Sequence, residues 1–312
     1  MNNEIDYFFC GVGTSGTIVG VGKYLKEKCP NVKIIGVDTV GSILATPESM
    51  NTEDKLYKVE GIGQSCIPGI LDRKYIDGWV KVDDPEAFEY ARRMMKEEGM
   101  MVGGSCGSAV YGMIKYLKEN GLSNKKELRC CVLLPDGIRN YMSKFLQDEW
   151  MIGNGFITGD EAVKIIMENE NMSNPNSLLL INKTLEDYPI FTPLPYYDKR
   201  MTIADCFDSF KKGFSLIPIR EKGEIIGVIE KTNLLKALLQ KGVKKSNSCS
   251  HALSRDYFLV DIKTPLVVLE RLLQVKNAVL VAKYKEGKIE KLYSVTQNDL
   301  FEILEENLKE YL

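Results

Sequence analysis

Between Tyr7 and Tyr141 short unbroken apolar runs alternate with amphipathic stretches. Tyr7-Phe8-Phe9-Cys10 is followed by a helical pattern from Thr17 to about Lys28, then by VKIIGVDT at 32–39 and WVKVD at 79–83. A helical pattern over 85–98, MMV at 100–102, a helix from about Ser108 to Glu119 and RCCVLLPD at 129–136 complete the series. Runs that are apolar throughout, instead of alternating with polar positions, belong to strands buried on both faces. Their separation by amphipathic helices predicts a parallel α/β sheet with helices on both sides. Asp84 is placed to cap the helix at 85, and Pro85 to take its first position, where a missing N–H is no loss.

Past residue 146 the pattern changes. MENENMSNPNS is polar and carries Pro175, so a linker or boundary is expected near 168–178. Beyond it the order is helix (TIADCFDSFKK), strand (SLIPIR), turn (EKGE), strand (IIGVIE) and helix (NLLKALL). That order recurs as PLVVLERLLQ, AVLVAKY, KEGK, KLYSV and DLFEIL, with Ile229–Leu234 aligning on Val295–Leu300, 66 positions later. An internal α+β pair with one hairpin per copy follows, its halves packed face to face. The domains expected are 1–150, a linker over 151–190, and the repeated module over 191–312.

Composition narrows the chemistry. With 41 basic and 43 acidic side chains among 312 residues, and 44% apolar residues, no charge excess calls for nucleic acid or an anionic membrane surface. The eight cysteines form no C-x-x-C and His251 is the only histidine, which leaves no ligand set for a metal or haem. Scattered free thiols suit a reducing compartment. MNNEID has no basic and apolar leader pattern, and no apolar run approaches the roughly 18 residues of a span, so a soluble cytoplasmic protein is expected.

The chemistry begins at GVGTSGT. Gly11, Gly13 and Gly16 spell G-x-G-x-x-G between a strand and a helix, and Asp38 ends the next strand, the arrangement of a dinucleotide site. Thr14, Ser15 and Thr17 set hydroxyls among the glycines, which suits the concentrated dianion of a phosphate monoester at a helix N-terminus better than a bridging pyrophosphate. A second glycine-rich turn, GGSCGS, follows MMV and puts Ser105 at that strand's mouth. LLPDGIRNY ends a third strand at the same edge, where ligands of parallel sheets bind.

In order along the chain, GVGTSGT, KEKCPNVKIIGVD, GSILATPE, VEGIGQSCIPGILDR, DDPEAFEYARRMMKEEGMMVGGSCGSA and LLPDGIRNYMSKFLQDEWM resemble the carboxyl half of the catalytic core of cystathionine beta-synthase. That family uses pyridoxal 5'-phosphate on a type II fold, and the repeated tail resembles the tandem CBS motifs (Bateman module) that follow its core. The resemblance implies that Gly13, Thr14, Ser15, Gly16 and Thr17 hold the cofactor phosphate and that Ser105 hydrogen-bonds the pyridine nitrogen. A hydroxyl does not keep that nitrogen protonated as a carboxylate would, so the ring is a restrained electron sink, suited to elimination and replacement at the β-carbon. The implied reaction condenses L-serine with L-homocysteine to cystathionine, in a homo-oligomer without nucleic-acid or membrane partners.

Four departures shape the expectation. The family's Schiff-base lysine belongs to a segment before the strand at Tyr7, and no lysine here sits in that motif. An incomplete chain, inactive by itself and with a poorly folding first part, is therefore expected. Gln64 stands in EGIGQ where the family presents tyrosine and the related cysteine synthases a small residue, which leaves homocysteine and sulfide both open as second substrate. The haem-binding extension has no counterpart. In the tail, Thr296 and Asp299 match the T-x-x-D of a CBS motif and Phe214 its adenine-side aromatic, whereas Glu230 and Asn233 replace the pair in the first copy. One cleft for S-adenosylmethionine or an adenine nucleotide is implied, the alternative reading of the pair being a helix cap. Two other functions remain open: a non-catalytic adenosyl-ligand sensor, and an NAD-dependent dehydrogenase resting on G-x-G-x-x-G and Asp38.

Overall fold

A computed structural model describes residues 4–170, 180–188, 193–240 and 242–309. The chain divides into two compact units, Met1–Gln147 and Asp148–Leu312. No helix among the described residues is long and apolar enough to cross a membrane.

The first unit is built on four parallel strands, β1 (Tyr7–Gly11), β2 (Lys33–Thr39), β3 (Gly78–Val82) and β4 (Cys130–Val132), in the order β3-β2-β1-β4. Tyr7 stands beside Lys33 on one side and Cys130 on the other, so β1 is an inner strand. Alternate residues of that strand enter different cores. Phe8 and Cys10 pack with Ile18, Ile34 and Trp79 under helix α1 (Gly16–Lys28). Phe9 packs with Ile35, Val37, Val80 and Ala87 under α2 (Asp84–Glu98) and α3 (Gly104–Glu119). Burial on both faces is why these strands are apolar at every position.

Three local expectations are corrected. Met100–Val102 forms no strand, only an isolated antiparallel bridge from Val102 to Gly137, because Gly103 is already the extended N-cap of α3. Ser105 therefore lies in the first turn of a helix, not at a strand's mouth. In RCCVLLPD only Cys130–Val132 pairs with β1, and the chain leaves the sheet after Leu133 N donates to Phe9 O at 3.0 Å. The cap of α2 is Asp83, whose Oδ1 accepts from Asp84 N at 2.8 Å. Asp84 is the first helical residue and Pro85 follows it.

The second unit contains α4 (Asp148–Gly153) and α5 (Gly159–Glu170), then α6 (Ile203–Lys211), β5 (Leu216–Glu221), β6 (Glu224–Glu230), α7 (Lys231–Gln240) and β7 (Leu259–Asp261). It ends with α8 (Leu266–Val275), β8 (Ala278–Lys285), β9 (Lys288–Thr296) and α9 (Gln297–Lys309). The stretch 151–190, expected as a linker, carries α5, whose apolar residues recur at helical spacing and bury Ala162 and Ile166. Its polar centre, 171–179, lies outside the described residues. The repeat is visible in the backbone: the β5–β6 and β8–β9 hairpins turn through Lys222-Gly223 and Glu286-Gly287, all at positive φ, and each shifts register near its turn. Leu216 and Val228 of the first hairpin share a cluster with Leu280 and Leu292 of the second.

Candidate functional site

The loop between β1 and α1 lies at the carboxyl end of an inner parallel strand. The chain enters the helix through Ser15 at φ 74°, ψ −6°, a left-handed conformation unusual for serine. Ser15 is buried and turns its hydroxyl to Gly13 O at 3.3 Å, so α1 has no side-chain cap and no acid in its first turn. Its leading N–H groups and positive dipole end are left facing outward for an anion, with Thr14, Gly16 and Thr17 exposed around them. A left-handed residue before an uncapped helix start is backbone geometry that can receive an anion.

A second segment closes on this loop. A Cβ on Gly13 would lie 2.6 Å from Gly61 O, and Gly63 N donates to Val12 O at 2.8 Å. Gly61 itself needs positive φ, 85°, and a side chain there would reach to 3.9 Å from Ser105 Oγ. The structure thus brings GVGTSGT, EGIGQ and Ser105 together. Ser105 is 3% exposed, and its hydroxyl makes no hydrogen bond to the described residues. LLPDG joins from behind: Asp136 O accepts from Gly103 N at 3.2 Å and from Cys106 Sγ at 3.3 Å, and Tyr141 Oη donates to Asp136 Oδ2 at 2.5 Å. Burial pushes the Cys106 thiol up, toward the neutral form. Burial and then the Asp136 carboxylate push the Tyr141 phenol up, so it stays a donor.

Asp38 does not serve a ribose. It is fully buried, Oδ1 accepts from Thr39 N at 3.0 Å, and Oδ2 accepts from Ala45 N at 3.1 Å and Lys81 Nζ at 2.7 Å. Lys81 also donates to Thr39 O and Ser42 O, so the pair fastens the 39–45 turn beside the cleft. Gln64 is held by its backbone: its N donates to Ser42 Oγ at 2.9 Å, and Ser42 Oγ donates back to its carbonyl at 3.2 Å. The dinucleotide reading thereby loses its acid.

In the second unit Thr296 and Asp299 meet as a reciprocal cap of α9. Asp299 Oδ2 accepts from Thr296 N at 2.7 Å and Oγ1 at 2.5 Å, and Asp299 N points back to Thr296 Oγ1 at 3.5 Å. The same reciprocal bonding recurs at Thr202/Asp205 and Thr184/Asp187. Phe214 packs, half-buried, against the cluster of Leu194, Leu216, Ile225 and Val228.

Residues 1–136 match the pyridoxal-phosphate dependent enzyme family. Cystathionine beta-synthase of Dictyostelium discoideum is 36% identical over 289 residues, 91% of this chain and 56% of that protein. The Rattus norvegicus protein of the same name is 37% identical over 288 residues, 90% of this chain and 47% of its own. A cysteine synthase of Staphylococcus aureus is 38% identical over 139 residues, 45% of this chain and 42% of that protein. The chain spans about half the length of the curated relatives it matches.

Sequence reasoning missed the residues that hold the loops. From the sequence, Asp84 reads as a cap and Asp136 and Tyr141 as parts of a motif, without partners. The available signal was the doubled acid of Asp83-Asp84, since one helix N-terminus needs only one cap.

Proposed function

We propose that the first unit binds pyridoxal 5'-phosphate and that the protein carrying it is a β-replacement lyase condensing L-serine with L-homocysteine. The observation that carries this reading is the cradle itself: an uncapped N-terminus of α1, a left-handed Ser15 and a Gly13 that has no room for a Cβ. The donor set fits a terminal phosphate. The amides of the first turn and the hydroxyls of Thr14 and Thr17 would hold its oxygens, with Ser15 buried to shape the turn. Ser105, buried with a hydroxyl that neither donates to nor accepts from a described residue, would hydrogen-bond the ring nitrogen without supplying a full proton. When bound, the cofactor supplies the electron sink for loss and replacement of the substrate's β-substituent. The EGIGQ loop, closing over Gly13, would exclude water and face the second substrate through Gln64.

The likeness to both cystathionine beta-synthases and a cysteine synthase supports β-replacement and leaves the sulfur donor to experiment. Mass analysis of products from serine with homocysteine, and from serine with sulfide, decides it: cystathionine as the dominant product supports the reading, and cysteine alone from sulfide replaces it. The second unit is proposed as a tandem CBS module, on the strength of its two matching hairpins and T-x-x-D pair. In this reading S-adenosylmethionine or an adenine nucleotide is the regulator, the enzyme is a cytosolic homo-oligomer, and its free thiols suit that setting. Calorimetry with either ligand should give saturable heat that Asp299→Ala removes; no heat from either ends the proposal.

A further inference from the structure

We propose that Asp84 is a positioning residue for the cofactor cleft: the hydrogen bonds of its carboxylate fix the 58–64 loop against Gly13 and Ser105 instead of capping the helix to which it belongs. The inference rests on the reading of that cleft as the cofactor site. Asp84 opens α2 and is 3% exposed, a costly place for a carboxylate unless its oxygens find donors. Asp83 already accepts from the first free amide of α2. Both oxygens of Asp84 turn instead to another segment, Oδ2 accepting from Lys58 N at 2.5 Å and Oδ1 from Val59 N at 3.0 Å. Burial raises its pKa in spite of those two amides, with the neighbouring Asp83 adding to the rise and Lys55 opposing it.

The held segment is the one that closes the cleft. Val59 is two residues from Gly61, whose carbonyl lies against Gly13, and a chain extends at most about 3.3 to 3.6 Å per residue, so fixing Val59 leaves little slack at Gly61. Gly63 N on Val12 O and Gln64 N on Ser42 Oγ fix the far end. Asp84 is the buried charged anchor at the near end, beside the more exposed Lys55–Asp83 and Lys144–Glu60 pairs.

The anchor is also tied to Ser105. A Cβ on Gly107 would lie 1.9 Å from Ala87 O, so α2 and α3 touch backbone to backbone within one turn of both Asp84 and Ser105. The carboxylate therefore sets the distance between the loop that presses on the phosphate turn and the helix that presents the ring-nitrogen ligand.

Hydrogen exchange on Asp84→Ala, Asp84→Asn and, as control, Asp83→Asn tests this together with pyridoxal 5'-phosphate titration. Asp84→Ala is expected to speed exchange across 59–63 at least tenfold, with protection over 88–98 unchanged, and to weaken cofactor binding at least tenfold. Asp84→Asn, which keeps one acceptor, is expected to fall between. Asp83→Asn, which loses the α2 cap and the ion pair to Lys55, is expected to loosen the first turn of α2 and the chain near residue 55 while 59–63 stays protected. Unchanged exchange over 59–63 in Asp84→Ala overturns the proposal, and so does equal loosening of α2 and the loop. If Asp84→Ala fails to give a cooperative melt, Asp84→Asn carries the same reading at 59–63. Wild-type protein that binds no cofactor sinks the reading of the cleft, while the exchange comparison still decides the role of Asp84.

Discussion

Ser15 holds a backbone conformation that costs a non-glycine residue on the order of 1 kcal/mol, and its hydroxyl leaves the helix cap to bond Gly13 O. Strain of this kind survives where the surroundings impose it, and here EGIGQ presses on the turn from Gly61. Gly13→Ala would set a methyl against that carbonyl, so about 1 to 3 kcal/mol of stability should be lost by overpacking, read as a lower urea midpoint. Affinity for pyridoxal 5'-phosphate should fall at least tenfold, about 1.4 kcal/mol. The tight turn from β1 into α1 was legible at this scale because a glycine-rich strand-to-helix junction is local in sequence. Asp38 misled because its partner Lys81 lies on the neighbouring strand, far along the chain. Asp84 misled because an acid before a proline reads as a cap whatever its carboxylate reaches.

Among the elements, the parallel sheet was readable from strands apolar at every position, whereas Met100–Val102 was not, since an apolar triplet before a glycine pair looks the same whether or not it finds a partner. Asp77 joins two of these elements: Oδ2 accepts from Lys26 Nζ of α1 at 2.7 Å and from Ile34 N of β2 at 2.8 Å. Burial raises its carboxyl, but the Ile34 amide and then the Lys26 ammonium outweigh that and hold it below its ordinary 3.8. A lowered acid stabilises the fold above its unfolded pKa, and that contribution disappears as pH falls through the native value. Asp77→Asn should therefore cost about 1 to 2 kcal/mol at pH 7 and progressively less as pH falls below 3.8, as urea midpoints across that range would record. In the tail, Asp299→Ala should cost about 1 kcal/mol through the lost cap of α9, with or without a ligand, visible as a lower melting temperature.

At the level of the whole molecule, two units carry separate cores, Phe8, Phe9 and Val37 among the residues of the first and Ile217, Val228 and Leu280 among those of the second. The internal repeat was legible because its strand-to-helix junctions align; β9 is two residues longer than β6, which is why those junctions are 66 apart while the hairpin turns are 64 apart. The extent of 151–190 was not legible, since acidic α5 reads as solvent-facing until its few apolar positions meet a core. Residues 148–312 produced alone should melt cooperatively in scanning calorimetry, as a unit with its own core does. The central claim, that residues 11–17 form a cradle for a phosphate monoester, is tested most directly by comparing the binding of pyridoxal 5'-phosphate and pyridoxal to the protein. The account predicts tight, saturable binding of the phosphorylated form, competition by inorganic phosphate, and at least a hundredfold weaker binding of pyridoxal. Equal affinity for the two forms would contradict it.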